Sequence, residues 1–221
     1  MTHVFVSGNL ALDLAGTLKW RDTAPEELLG RPVDLDEWLQ QARLLERPQA
    51  TTADLVAARD LREAVFTLAT ARRRGEAFDP TALGLVNQVA AQAPLRDELT
   101  PQGLVRRGSV AEVFSTLART AIEVLDPAYP APIRRCAGAR CTRLFVDRSR
   151  GGRRTWCGMS ECGNRAKVAN HRARRRAGNG APAGAEIDGW SASAFDQFDR
   201  TEAVTRNAAP LAADLRGSES D

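Results

Sequence analysis

Histidine is nearly absent from this chain, and cysteine is absent from its first 135 residues. Of 221 residues, two are histidine, His3 and His171, and four are cysteine. Residues 1–133 thus hold one histidine, no thiol, no glycine-rich phosphate loop and no tight pair of carboxylates. Nucleophilic, general-base and metal-assisted chemistry all draw on such groups, so the chain is not expected to be an enzyme. Aromatic residues amount to 5% against 43% hydrophobic residues overall, which calls for an aliphatic, alanine-rich core. There is no run of 18 apolar residues to span a membrane. The opening MTHVFVSGNLALDL has no basic stretch, and Asp13 interrupts its apolar run, so no secretory signal is expected. A cytoplasmic protein is the expectation, and in a reducing compartment four clustered cysteines favour metal ligation over disulfides.

Charge is plentiful but poorly mixed. The net charge is +3, yet residues 1–133 carry 14 basic and 18 acidic residues, and residues 177–221 carry 3 and 8. Residues 134–176 carry 14 basic residues against two acids, Asp147 and Glu161. Positive charge concentrated in one segment points to a local polyanionic partner.

Helical periodicity dominates the first 125 residues. Leu10, Leu14 and Leu18 predict a helix between Gly8 and Trp20, with Asp13, Thr17 and Arg21 along its flank. Those three read either as exposed ion-pairing residues or as a polar cluster facing a ligand pocket. Asp34, with Glu37 three residues on, predicts a capped helix to about Glu46. Thr52 predicts the start of another, which closes on Arg72-Arg73-Arg74 and Gly75. Asp79-Pro80 starts a fourth, with Leu83, Val86, Ala90 and Ala93 inward and Asn87 as a buried hydrogen-bonding residue. Thr100 to Gly103 predicts a hairpin turn, and Ser109 caps a last amphipathic helix to Leu125. The fold class is mainly α with small β. A multi-helical domain spans 1–125, a proline-rich linker 126–133, a treble-clef-like zinc module 134–177, and a mostly disordered acidic tail 178–221.

The cysteines come as two pairs, Cys136 with Cys141 and Cys157 with Cys162, each pair separated by four residues. Two short loops that each supply two thiolates can enclose one structural zinc ion. About 40 residues cannot bury enough surface to fold alone, so metal binding worth on the order of 10 kcal/mol would supply most of the module's stability. Between the pairs, residues 143–147 and 154–156 flank Ser149 to Gly152 and predict a hairpin with Phe145 and Trp156 as its core. Four thiolates fill a tetrahedron, which leaves Glu161 nothing to activate.

A basic helix follows Cys162. Ala166, Ala169, Ala173 and Ala177 form a thin seam expected to lie against the hairpin, and the other faces carry Arg165, Lys167, His171, Arg172, Arg174, Arg175 and Arg176. With Asn164, these side chains suit base edges and phosphates of double-stranded DNA in a major groove. Arg148, Arg150, Arg153 and Arg154 are placed to hold flanking phosphates. About six such contacts would give a log K against log salt slope of roughly −5. An RNA-binding or ribosome-associated module using the same basic surface is the alternative.

Cys162-Gly-Asn-Arg165, preceded by Arg154-Thr-Trp-Cys157 and followed by Lys167, resembles the CGNR zinc-finger family. Upstream, GNLALDLAGT with Arg21, Leu61-Arg-Glu-Ala64 and Asn87 resembles the ABATE-type domain fused to that finger. The resemblance covers about residues 3–176 and departs at Gly16-Thr17, where the family commonly has Asn-Thr. It implies a bacterial-type transcription regulator whose finger binds DNA. It also implies a helical domain that senses a small-molecule effector or forms a homodimer.

Overall fold

Cap chemistry decides where most of the helices begin. The computed structural model describes residues 2–178, so the tail expected at 178–221 lies outside the described residues past its first position. The longest helix, α3 (Thr52–Arg74), opens on Thr51. The Thr51 hydroxyl accepts from the Asp54 N–H at 3.1 Å, and Asp54 Oδ2 accepts from the Thr51 N–H at 2.8 Å. The cap is therefore one residue earlier than expected, because Asp54 rather than Leu55 completes the reciprocal box. Gly75, at φ 70°, ends the helix in the left-handed region.

Helix α2 (Pro32–Gln41) starts before the expected Asp34, which sits in its first turn and accepts from the Arg31 N–H at 2.7 Å. It stops short of Glu46 because Arg43 adopts φ 55° and the Leu44 N–H returns to Leu39 O. Helix α4 (Pro80–Ala90) begins on Asp79 as expected, and buries Ala82, Val86 and Ala90. Val86 and Ala90 are inward as expected, whereas Leu83, Asn87 and Ala93 are exposed, so Ala82 takes the place of Leu83 on the inward stripe and Asn87 is not a buried hydrogen-bonding residue. Hairpin strands β3 (Arg96–Thr100) and β4 (Gly103–Arg107) and helix α5 (Val110–Leu125), capped by Ser109, lie where the pattern puts them.

The first helix is shorter than its leucine spacing suggests. Helix α1 (Leu10–Ala15) stops at Gly16, and the Thr17 hydroxyl donates to Leu14 O at 2.7 Å. Leu18 then enters β1 (Leu18–Lys19), which pairs with β2 (Glu26–Glu27). Trp20, at φ 51°, turns the chain between them. Helices α1, α2, α4 and α5 pack around α3, with Leu12, Leu35, Trp38, Leu61, Leu68 and Leu117 among the fully buried side chains. One ionic cluster is buried beside them: Arg62 is 4% exposed and meets Glu27 at 2.6 Å and Glu63 at 2.8 Å.

The cysteine module does not form the expected hairpin. Strand β6 (Leu144–Val146) pairs with β5 (Ile133–Arg135), which precedes the first cysteine pair, and not with residues 154–156. The reason is local: Cys136 N–H bonds Arg143 O, so the first cysteine loop is itself the tip of a β5–β6 hairpin. Residues 154–156 lie against the other side of that loop, where Ala137 N–H donates to Thr155 O.

Strand β6 is buried on both faces. Leu144 and Val146 join the core of the helical bundle, while Phe145, 0% exposed, joins Cys136 and Cys157 in a separate small core. Its Val146 N–H donates to Ser7 O at 2.8 Å, which ties the N-terminal segment to the module. The proline-rich segment is packed too. Ala131 is buried, Tyr129 lies on the bundle core, and Arg72 donates to the carbonyls of Asp126 and Tyr129.

Candidate metal centre and nucleic-acid surface

The four cysteine Sγ atoms lie within 4.8 Å of one another. Cys141 and Cys157 are 3.9 Å apart, and Cys157 and Cys162 are 3.7 Å apart. Ligands about 2.3 Å from a tetrahedral zinc would be about 3.8 Å from each other, so the donor set fits the ion. The surrounding backbone is arranged for sulfur acceptors, since the N–H groups of Gly138 and Cys157 point at Cys136 Sγ at 3.5 and 3.3 Å. Gly138 is needed for space, because a Cβ there would sit 3.1 Å from Cys141 Cβ and 3.2 Å from Cys162 Sγ.

Hydrogen bonds from the neighbouring thiols of Cys141 and Cys157 lower the pKa of Cys136. Burial, with the neighbouring sulfur charges, pushes Cys162 up to about 12. One thiolate in this cluster thus disfavours the next, and a divalent cation removes the conflict by ligating all four as thiolates. When bound, zinc supplies a structural cross-link between the two cysteine loops. Glu161 is engaged elsewhere, accepting from Arg143 at 3.0 Å.

Residues 8–126 match the ABATE family, described as a putative stress-induced transcription regulator, and residues 133–175 match the CGNR zinc finger. The first match alone covers more than half of the chain. The protein belongs to the ABATE family. Its two matched regions meet at the packed proline segment, and its four-cysteine cluster is a site for one zinc ion. Neither family is an enzyme family. No curated protein matches the chain. Among the described residues, no helix is long and apolar enough to cross a membrane.

In this ABATE protein, a π-helical turn at Met159–Gly163 carries Cys162 and runs directly into helix α6 (Asn164–Gly178). Asn164, Arg165, Lys167, His171, Arg172 and Arg174 are exposed on α6, and Arg175 lies on the same helix. Ala169, a member of the alanine seam expected to face the hairpin, is exposed. Arg150 and Arg153 are exposed in the loop, as is Arg148, which donates to the Tyr129 hydroxyl.

Arg154 differs from these neighbours. Its guanidinium stacks 4.4 Å from the Phe145 ring centroid and donates to the carbonyls of Val6, Trp156 and Cys157. It is committed to joining the module to the N-terminal segment, so it is not available to a phosphate.

Asp13, Thr17 and Arg21 do not converge on a pocket. Asp13 is buried and accepts from the Val6 and Ser7 N–H groups at 2.9 Å each. Burial pushes its carboxyl up to about 6, against the pull of those N–H groups. Thr17 caps the end of α1, and Arg21 stacks on Phe66 at 4.0 Å and pairs with Glu63. All three hold structure together.

The sequence reading missed Val6 and Ser7 as the strap under the zinc module, and Arg143 as its contact with α1. A Cβ on Gly16 would lie 3.4 Å from Arg143 Nε, so the glycine at this family-divergent position leaves room for that side chain. No periodic signal marks either contact, because both join residues more than 100 positions apart.

Proposed function

We propose that the protein is a zinc-dependent DNA-binding transcription regulator whose α6 enters the major groove of duplex DNA. One observation carries this reading. A helix that starts at the zinc site exposes Asn164, Arg165, Lys167, His171, Arg172 and Arg174 together. Fifteen residues at 1.5 Å per residue give a rod of about 22 Å, enough to contact several base pairs along a groove. Arg150 and Arg153, exposed beside it, would meet phosphates. The helical domain would sense an effector or form a homodimer, and so set the spacing of two fingers.

The test is fluorescence anisotropy of the zinc-loaded full chain with a random genomic duplex pool and with structured RNA, each across a salt series. Saturable duplex binding that is lost on zinc chelation, with a log–log salt slope near about −5, is the expected result. Duplex binding that survives chelation, or none with zinc present, would overturn it. Tighter binding to the RNA would favour an RNA-binding module instead.

A further inference from the structure

A cavity of about 440 Å³ opens between the β1–β2 turn and the first cysteine loop. Its walls include Lys19 and Trp20 from the helical domain, and Arg140, Trp156, Arg165 and Ala169 from the zinc module. The volume lies within the range of small-molecule sites and far exceeds what a lone inorganic anion fills.

The cationic side chains of these walls differ in their partners. Lys19 is paired with Glu26 at 3.3 Å, and Arg143 is paired with Glu161 at 3.0 Å. Arg140 and Arg165 have no carboxylate partner among the described residues. Cys141 and Cys162 also line the cavity, and a zinc ion held by four thiolates would carry a net charge of about −2, so Arg140 and Arg165 would hold a phosphate monoester by directional N–H donation rather than by net charge. Two indoles supply flat apolar surface in the same space.

Trp20 is held in a conformation that bulky residues avoid, at φ 51°. That backbone turns its ring toward the zinc module, where the Arg140 guanidinium lies 4.5 Å from the ring centroid. Backbone strain of this kind is concentrated at ligand clamps and switch regions. A planar guest that takes the guanidinium's place against the indole would free Arg140 to meet the guest's phosphate.

We infer that this cavity binds an aromatic phosphate monoester of mononucleotide type, with the ring on Trp20 and Trp156 and the phosphate between Arg140 and Arg165. The regulatory meaning rests on the proposed regulator function, but the binding does not. A ligand that touches the helical domain on one wall and the α6 end of the zinc module on the other favours whichever arrangement of the two it fits. The monoester could be a free nucleotide or the phosphorylated end of a strand, which share the same chemistry.

Isothermal titration calorimetry on the zinc-loaded full chain tests this with AMP, adenosine, inorganic phosphate and a short single-stranded oligonucleotide bearing a 5′-phosphate. AMP should bind saturably and at least tenfold more tightly than adenosine or phosphate. Trp20→Asn, which keeps a residue tolerant of positive φ, and Arg165→Gln should each weaken binding tenfold or more. If only the phosphorylated oligonucleotide binds, and does so through Trp20 and Arg165, the site is assigned to strand ends.

The inference is overturned if neither AMP nor the oligonucleotide binds, if adenosine matches AMP, or if both variants bind normally. Duplex binding measured on Lys167→Gln and Arg172→Gln separates the two readings. Loss of DNA affinity there with AMP binding intact supports both, whereas AMP binding in a chain that ignores duplex DNA supports this site and removes the DNA reading.

Discussion

Arg153 and Arg154 share a side chain and a basic neighbourhood, yet one projects into solvent and the other is used up inside the fold. Arg153→Ala should leave unfolding free energy within about 0.5 kcal/mol of the parent, as exposed substitutions do, and reduce the DNA salt slope by about 1. Arg154→Ala removes charge-assisted bonds to three carbonyls and the stack on Phe145, and should cost about 2–3 kcal/mol. Urea denaturation and a salt series on both variants check the contrast, and equal stability losses would refute it.

Asp13 gives a second prediction at this scale. Its folded-state pKa of about 6 lies above its ordinary value, so the native state holds the proton more tightly than the unfolded chain does. Its contribution is full below about pH 4 and is lost as pH rises to about 6, a swing of about 3 kcal/mol at most. Asp13→Asn should therefore gain stability relative to the parent between pH 4 and pH 7. A stability difference that stays constant over that range would count against this account.

Among the elements, those with local signals were readable in advance. Asp79-Pro80, Ser109, the arginine-capped end of α3 and the Thr100–Gly103 turn each declare themselves within four residues of sequence. Strand β6 does not. Its sequence, Leu-Phe-Val, fits a small hairpin equally well with residues on either side, and its choice of β5 depends on how the first cysteine loop closes. Its two-sided burial depends in turn on α1 and α3 being present. Leu144→Ala, though it lies within the zinc-finger match, should cost about 2–5 kcal/mol and lower amide protection in α1 and α3. Hydrogen exchange localised to the cysteine loops alone would be the contrary result.

For the molecule as a whole, the family and the metal ligands were legible because cysteine pairing and the CGNR run are short, specific strings. The structural roles of Asp13, Thr17 and Arg21 were not legible. Asp13, Thr17 and Arg21 are polar residues on one apparent helix flank, but α1 ends before Thr17 and distributes them to different tasks. Zinc removal tests how far the two matched regions depend on each other. Chelation should abolish protection in β5 and β6 and also at Val6 and Ser7, while the centre of α3 stays protected. Loss confined to residues 136–163 would mean that the strap and the metal are independent.

The strand with two buried faces also bears on portability. Fingers of modular regulators are often imagined as cassettes that can be cut out and joined elsewhere. Here a cut at the proline segment would leave Leu144 and Val146 as an oily underside on the excised finger, and a matching slot in the bundle left behind. On the proposed DNA-binding reading, exchanging specificity between relatives of this chain would therefore work better by redrawing the exposed residues of α6 than by transplanting the module that carries them.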